Sequence, residues 1–208
     1  MESTLRDGVE PGLRLIETLG WDGTGFAHLP LHLARLHRSA GWLGWPCAGA
    51  AAALHAAVPS YPARVRLVLD AAGRFEVAAT PLATARATWR VGLAVPRLRS
   101  NDPWLTVKST RRPAYDAARA ACEPTLDEVI LLNERDEVCD GSITTVFFDR
   151  GYGLRTPPLS CGLLPGVLRA ALNAKDEVLP ARDLPRVRLW VGNALRGLIP
   201  AVWTGAAP

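Results

Sequence analysis

The 208-residue sequence has 24 Lys and Arg residues, and only two are lysines: Lys108 in Trp104-Leu-Thr-Val-Lys108-Ser-Thr, and Lys175 in the polar turn Asn173-Ala-Lys-Asp-Glu177. A lysine can lose its proton near neutral pH and attack a carbonyl to form a Schiff base, which an arginine cannot do. Arginine-biased codon usage explains the scarcity equally well, so Lys108 must be judged by its company. Thirty-two residues on stands Asp140-Gly-Ser142, an acid, a glycine and a hydroxyl leading into an apolar run. Next comes Leu164-Pro-Gly166-Val167-Leu168-Arg169, where a proline–glycine pair opens a helix and leaves backbone N–H groups that suit a phosphate. Val191-Gly-Asn193-Ala194-Leu-Arg-Gly197 is a second glycine-bracketed turn fit for an anion, and His32-Leu-Ala-Arg35-Leu36 sets His32 and Arg35 one helical turn apart.

Each feature also has an ordinary reading. Asp140-Gly141 serves equally as a hairpin turn, Pro165-Gly166 as a plain helix start, and Gly192-Asn193 as a common turn signal. Arg35 reads as a solvated helix arginine, His32 as a packing or capping histidine, and Tyr115 as core. Their joint occurrence in this order sets them apart.

The elements that must position these residues follow from periodicity. Residues 13–19 read as a strand and 21–25 as a turn. Leu33, Leu36, Ala40 and Leu43 give 31–43 the spacing of an amphipathic helix, and 48–58 forms a second helix closed by Pro59 and Pro62. Strands at 64–69 and 74–78 flank Asp70-Ala-Ala-Gly73, a hairpin signal. Pro81–Ala87 connects to a second half with strands at 89–95, 105–109, 128–132, 143–148 and 188–191, and helices at 115–122 and 166–173. The expectation is an α+β or α/β protein of two lobes, residues 1–83 and 84–208, with a small-molecule site in the cleft.

Composition narrows the function. At 49% apolar and 21% charged residues the chain is ordinary for a globular protein, and its net charge of +4 is scattered, with no basic and aromatic interleaving to suit nucleic acid. Cys47, Cys122, Cys139 and Cys161 lack metal-finger spacing and read as free thiols of a reducing cytoplasm. The four histidines form no zinc motif, so no metal is expected. The first residues show no signal-peptide pattern, and no apolar run reaches the ~20 residues of a membrane span, so a soluble cytoplasmic protein is expected.

The order of the motifs, from about Leu15 to Ala201, resembles the class IV aminotransferases, the pyridoxal-phosphate enzymes of fold type IV. The resemblance implies a small α/β sandwich, a larger β-barrel-like lobe, and pyridoxal 5′-phosphate in the cleft. Lys108 falls at the Schiff-base lysine, and Asp140 at the acid that pairs with the pyridine nitrogen, one methylene shorter than the usual glutamate. Arg35, Gly166, Val167, Leu168, Asn193 and Ala194 fall at the cofactor-phosphate positions, and Thr145 replaces an asparagine common after the acid motif.

Within the family, Asn133-Glu-Arg135, Thr156-Pro-Pro158 and Gly192–Gly197 look most like the 4-amino-4-deoxychorismate lyases of folate biosynthesis. That likeness implies proton abstraction by Lys108 and elimination of pyruvate to give 4-aminobenzoate. The alternatives are an aminotransferase acting on branched-chain or D-amino acids, or a non-catalytic member. A small amine or amino-acid substrate and a homodimer are also implied. Thr18, Arg66 and Arg196 are candidates for substrate-carboxylate recognition, each against a structural role.

Overall fold

The protein is described by a computed structural model, covering Leu5, residues 9–84 and residues 86–205. Within the expected connection Pro81–Ala87, Ala85 lies outside the described residues, as do most of the first eight. The chain divides into two compact units, Met1–Thr84 with Val107–Arg111, and Ala85–Thr106 with Arg112–Pro208. The short segment carrying Lys108 thus belongs with the N-terminal unit.

The first unit is built on an antiparallel sheet of β1 (Leu15–Trp21), β2 (Ala63–Leu69) and β3 (Phe75–Pro81), in that order. β2 shows why it forms: Ala63, Val65, Leu67 and Leu69 are buried, while Arg64, Arg66 and Val68 alternate on the less covered face. Gly73 closes the β2–β3 hairpin with a φ of 81°. Helix α1 (Leu29–Leu43) buries His32, Arg35, Leu36, Ser39, Ala40 and Leu43, the three-and-four spacing of a single face. Gly44, with a φ of 72°, ends it in the left-handed conformation, and helix α2 (Ala50–Ala56) follows.

The second unit is a closed ring of strands. Its sheet runs β10 (Arg188–Asn193), β11 (Gly197–Trp203), β4 (Trp89–Leu98), β5 (Glu128–Asn133), β6 (Val138–Gly141) and β7 (Thr145–Asp149), and β10 also pairs with β7. That last pairing turns the six strands into a barrel. Short strands β8 (Arg155–Thr156) and β9 (Lys175–Asp176) extend beyond β7. All six ring strands contribute to one apolar cluster, among them Val91, Ile130, Val138, Phe148, Val191 and Ile199. The intervening residues of β5, Val129 and Leu131, instead join Tyr115 and Ala118 of helix α3 (Pro113–Ala120) in a second cluster. A strand buried on both faces explains why 129–132 reads as continuous Val-Ile-Leu-Leu.

Two expectations are corrected. Residues 105–109 do not form a strand: Pro103–Thr106 is a 3-10 turn, and only Ser109 makes a bridge, to Leu15. The cause is local, because Asp102 Oδ1 accepts the Trp104 N–H at 2.9 Å and the Thr106 hydroxyl donates to the Pro103 carbonyl at 2.7 Å. Nor is Asp140-Gly141 a hairpin turn. It lies in β6, where Asp140 faces Leu131 of β5 and Thr145 of β7.

Candidate functional site

In the first unit, strand alternation places Glu17 on the same face of β1 as Leu15, Leu19 and Trp21, an apolar setting that an isolated carboxylate would not tolerate. α1 supplies its partners. Arg35 donates Nε to Oε1 at 2.8 Å and Nη2 to Oε2 at 2.7 Å, and His32 Nδ1 lies 2.6 Å from Oε2. Burial is the largest influence on Glu17 and by itself raises its pKa. The Arg35 guanidinium and the His32 ring overturn that and bring the carboxyl down to about 2. His32 Nε2 is buried with no hydrogen-bond partner among the described residues.

Lys108 is fixed to the strand that carries Glu17. Its carbonyl accepts the Ile16 N–H at 2.8 Å, and the Thr110 N–H donates to Arg14 O at 2.9 Å. The segment therefore lines the free edge of β1, with the lysine half-buried. Thr18 and Arg66, both offered for carboxylate recognition, are direct cross-strand partners in β1 and β2.

In the second unit, the barrel gathers the remaining candidates. Asp140 is only 4% exposed, and the Leu164 N–H reaches its Oδ2 at 3.4 Å, which ties β6 to the start of the Leu-Pro-Gly loop. Gly166 is the N-cap of helix α4 (Val167–Leu172), whose start has no side-chain cap. It sits so close to β7 that a Cβ there would lie 2.6 Å from Thr145 Oγ1. Leu168 of the same helix covers Gly192, where a Cβ would lie 2.8 Å from Leu168 Cδ2 and closer still to the Gly197 carbonyl. Asn193 closes the turn that follows. Its Oδ1 accepts the N–H groups of Leu195 at 3.2 Å and Arg196 at 3.1 Å, and its Nδ2 donates to Ile143 O at 3.1 Å. Ala194 lies inside that turn, and Arg196 stands over the Trp89 ring at 5.7 Å. Asp140, Gly166, Val167, Leu168, Asn193 and Ala194 thus come from three segments joined by direct packing and hydrogen bonds.

Two residues that matter to this arrangement were not among the sequence candidates. Glu17 orients Arg35. Glu128, fully buried at the start of β5, accepts hydrogen bonds from Ser142, Ile143 and Thr144 in the loop after Asp140. Glu17 stands as a lone acid inside an apolar strand pattern, whereas Glu128, beside Asp127 at the start of β5, carries no such signal. Tyr115 is core-packed, as its ordinary reading has it, yet its hydroxyl is buried with no hydrogen-bond partner among the described residues. Burial first, and the Asp140 carboxylate next, push that phenol well above its usual range.

The motifs that carry the lyase likeness brace the barrel. Asn133 Oδ1 accepts the Arg135 and Glu137 N–H groups at 2.8 and 3.1 Å, shaping the β5–β6 turn, and the Thr156 hydroxyl donates to Val146 O at 2.9 Å. No helix among the described residues is long and apolar enough to cross a membrane.

Residues 14–202 match the family described as amino-transferase class IV. A candidate aminodeoxychorismate lyase of Schizosaccharomyces pombe is 32% identical over 167 residues, covering 76% of this chain and 72% of that protein. The crystal structure of a candidate amino-acid aminotransferase from Mesorhizobium loti superposes with a TM-score of 0.86 at 42% identity, covering 92% of this chain and all of the other. The branched-chain amino acid aminotransferase of Escherichia coli, 17% identical, shares the fold with a TM-score of 0.75 over 94% of this chain and 78% of its own. The sandwich-and-barrel architecture is that of fold type IV, and the chain belongs to the class IV aminotransferases, a family of pyridoxal-phosphate-dependent enzymes.

Proposed function

We propose that this chain binds pyridoxal 5′-phosphate through Lys108 and acts as a lyase on 4-amino-4-deoxychorismate, releasing pyruvate and 4-aminobenzoate. The observation that carries the cofactor reading is the packing of Gly166 against Thr145 and of Leu168 against Gly192. This brings two glycine turns together in the barrel that buries Asp140. The donor set suits the cofactor: a buried acid for the ring nitrogen, backbone N–H groups for a phosphate, and an amine for the aldehyde.

When bound, pyridoxal phosphate supplies an electron sink for a carbanion at the amine-bearing carbon of the substrate. Arg35, held by Glu17, and the N–H groups of Val167, Leu168 and Ala194 would hold the phosphate. Asp140 would keep the ring nitrogen protonated. Lys108, once displaced by the substrate amine, would take the proton from the amine-bearing carbon and deliver it to the departing enolpyruvate, which leaves as pyruvate. The Schizosaccharomyces pombe relative supports this outcome. We further take the protein to be a cytoplasmic homodimer, as the family resemblance implies.

The second reading is an aminotransferase, favoured by the 42% identity to the Mesorhizobium loti protein along its whole length. Both reactions share the proton abstraction by Lys108 and differ in where the proton returns. The purified protein reconstituted with pyridoxal phosphate should show a visible cofactor absorbance that Lys108→Ala lacks. If the wild type shows none, the enzyme reading fails. Adding aminodeoxychorismate should then release pyruvate and 4-aminobenzoate without an amino acceptor. Turnover only of an amino acid with 2-oxoglutarate would establish the aminotransferase instead.

A further inference from the structure

We propose that Glu128 is a positioning residue that sets the Asp140–Thr144 loop, and through it the direction of the Asp140 carboxylate. This rests on the reading of Asp140 as the partner of the cofactor ring. Glu128 is fully buried, and among the described residues its carboxylate accepts hydrogen bonds from its own strand and from this loop. Oε1 accepts the N–H groups of Val129 and Ser142, both at 3.0 Å, and the Ser142 hydroxyl. Oε2 accepts the Ile143 N–H at 3.1 Å and the Thr144 hydroxyl at 2.8 Å. Arg119 approaches at 3.9 Å, the one cation paired with it among the described residues.

The loop then distributes this order. The Thr144 carbonyl accepts the Gly141 N–H at 2.7 Å, next to Asp140. Ser142 O accepts Arg112 Nη2 at 2.7 Å, at the start of α3, and Ile143 O accepts Asn193 Nδ2. Gly141 must be a glycine for the same reason: a Cβ there would lie 2.9 Å from Glu128 Oε2 and closer still to Thr144 Oγ1. One carboxylate thus organises a loop that is tied to the Asp140 strand, to Arg112 and to Asn193.

The chemistry requires an acceptor on both oxygens. Hydroxyls can rotate to accept instead, but the Val129 and Ser142 amides face Oε1 and the Ile143 amide faces Oε2. In Glu128→Gln, either placement of the side-chain NH₂ therefore confronts a backbone N–H that can only donate. The substitution keeps the shape and breaks the loop.

Two readouts test this. In the first, amide hydrogen exchange of the cofactor-free protein, Glu128→Gln should exchange at least ~10-fold faster over residues 141–145, with the amides of β10 unchanged as an internal control. In the second, the pH midpoint of the bound cofactor's absorbance should move by ~1 unit toward that of Asp140→Asn. Exchange unchanged within ~2-fold, or accelerated evenly across the barrel with an unmoved midpoint, overturns the proposal. If the wild type takes up no cofactor, the proposed function falls, and the exchange pattern alone decides the role of Glu128 on the same outcomes. Should Glu128→Gln not fold, Thr144→Val removes one donor to Oε2 and should accelerate the same residues ~3-fold, with no acceleration overturning the idea.

Discussion

Gly166 and Thr145 are matched in size: a Cβ on the glycine would stand 2.6 Å from the threonine Oγ1. The glycine has φ −65° and ψ 143°, which any residue can adopt, so close approach and not backbone freedom requires it. Gly166→Ala should therefore weaken cofactor binding ~10-fold or more by pushing the α4 start off β7. The double change with Thr145→Ala should recover most of that loss. Titration of each apoprotein with pyridoxal phosphate checks both, and equal affinity for Gly166→Ala and wild type would contradict the assignment.

Asp140→Asn keeps the size of the side chain and removes its charge. If Asp140 holds the ring nitrogen protonated, kcat should drop by ~10² or more while KM changes little, as for an interaction that strengthens on the way to the transition state. Steady-state kinetics of the two forms decide this, and a KM effect alone would assign Asp140 to substrate binding.

The buried pair of Glu17 and Arg35 makes stability pH-dependent. The Glu17 carboxyl is lowered to about 2 from a usual 4.5, so its contribution is complete above pH 4.5 and is lost as pH falls toward 2. Glu17→Gln leaves Arg35 buried against a neutral group and should cost about 3 kcal/mol at pH 7. Urea denaturation across pH should show the gap between variant and wild type closing in that acid window. A gap that persists unchanged at pH 2 would mean that packing, not charge, is lost.

Thiol reactivity should divide the four cysteines evenly. Cys139 and Cys161 are fully buried, and burial pushes Cys161 up to about 12 and Cys139 higher still. At pH 8 the thiolate fraction of Cys161 is on the order of 10⁻⁴. Alkylation of the native protein should mark Cys47 and Cys122, which are half-buried, and reach all four only in denaturant. Mass spectrometry of the labelled protein counts them.

Much of the fold is legible in the sequence, and the remainder has physical reasons for not being so. The α1 face, the β2–β3 hairpin, the helix start at Gly166 and the turn between Asn193 and Gly197 follow from local periodicity and turn chemistry. Strands β6 and β11 escaped because β6 is four residues long and β11 includes Pro200, so neither carries a clear alternating pattern. The run at 105–109 misled because its apolar residues look strand-like, while the Asp102-Pro103 start that bends it depends on one side-chain acceptor. Glu17 and Glu128 were passed over for a related reason. An acid in a strand reads as solvated until its partners are known, and these come from α1, 15 and 18 positions on, or from a loop 14 to 16 positions on.

The barrel closure also bears on how the protein is made. β4 pairs in parallel with β11 through Trp89 and Ala201, the first and the last strands of the ring in chain order. During translation β4 therefore waits with an open edge until its partner emerges, and a ring sealed by so distant a pairing forms slowly. Asp140, Gly166 and Asn193 can take their places together only once β11 is available to close the ring, so their arrangement forms late in folding.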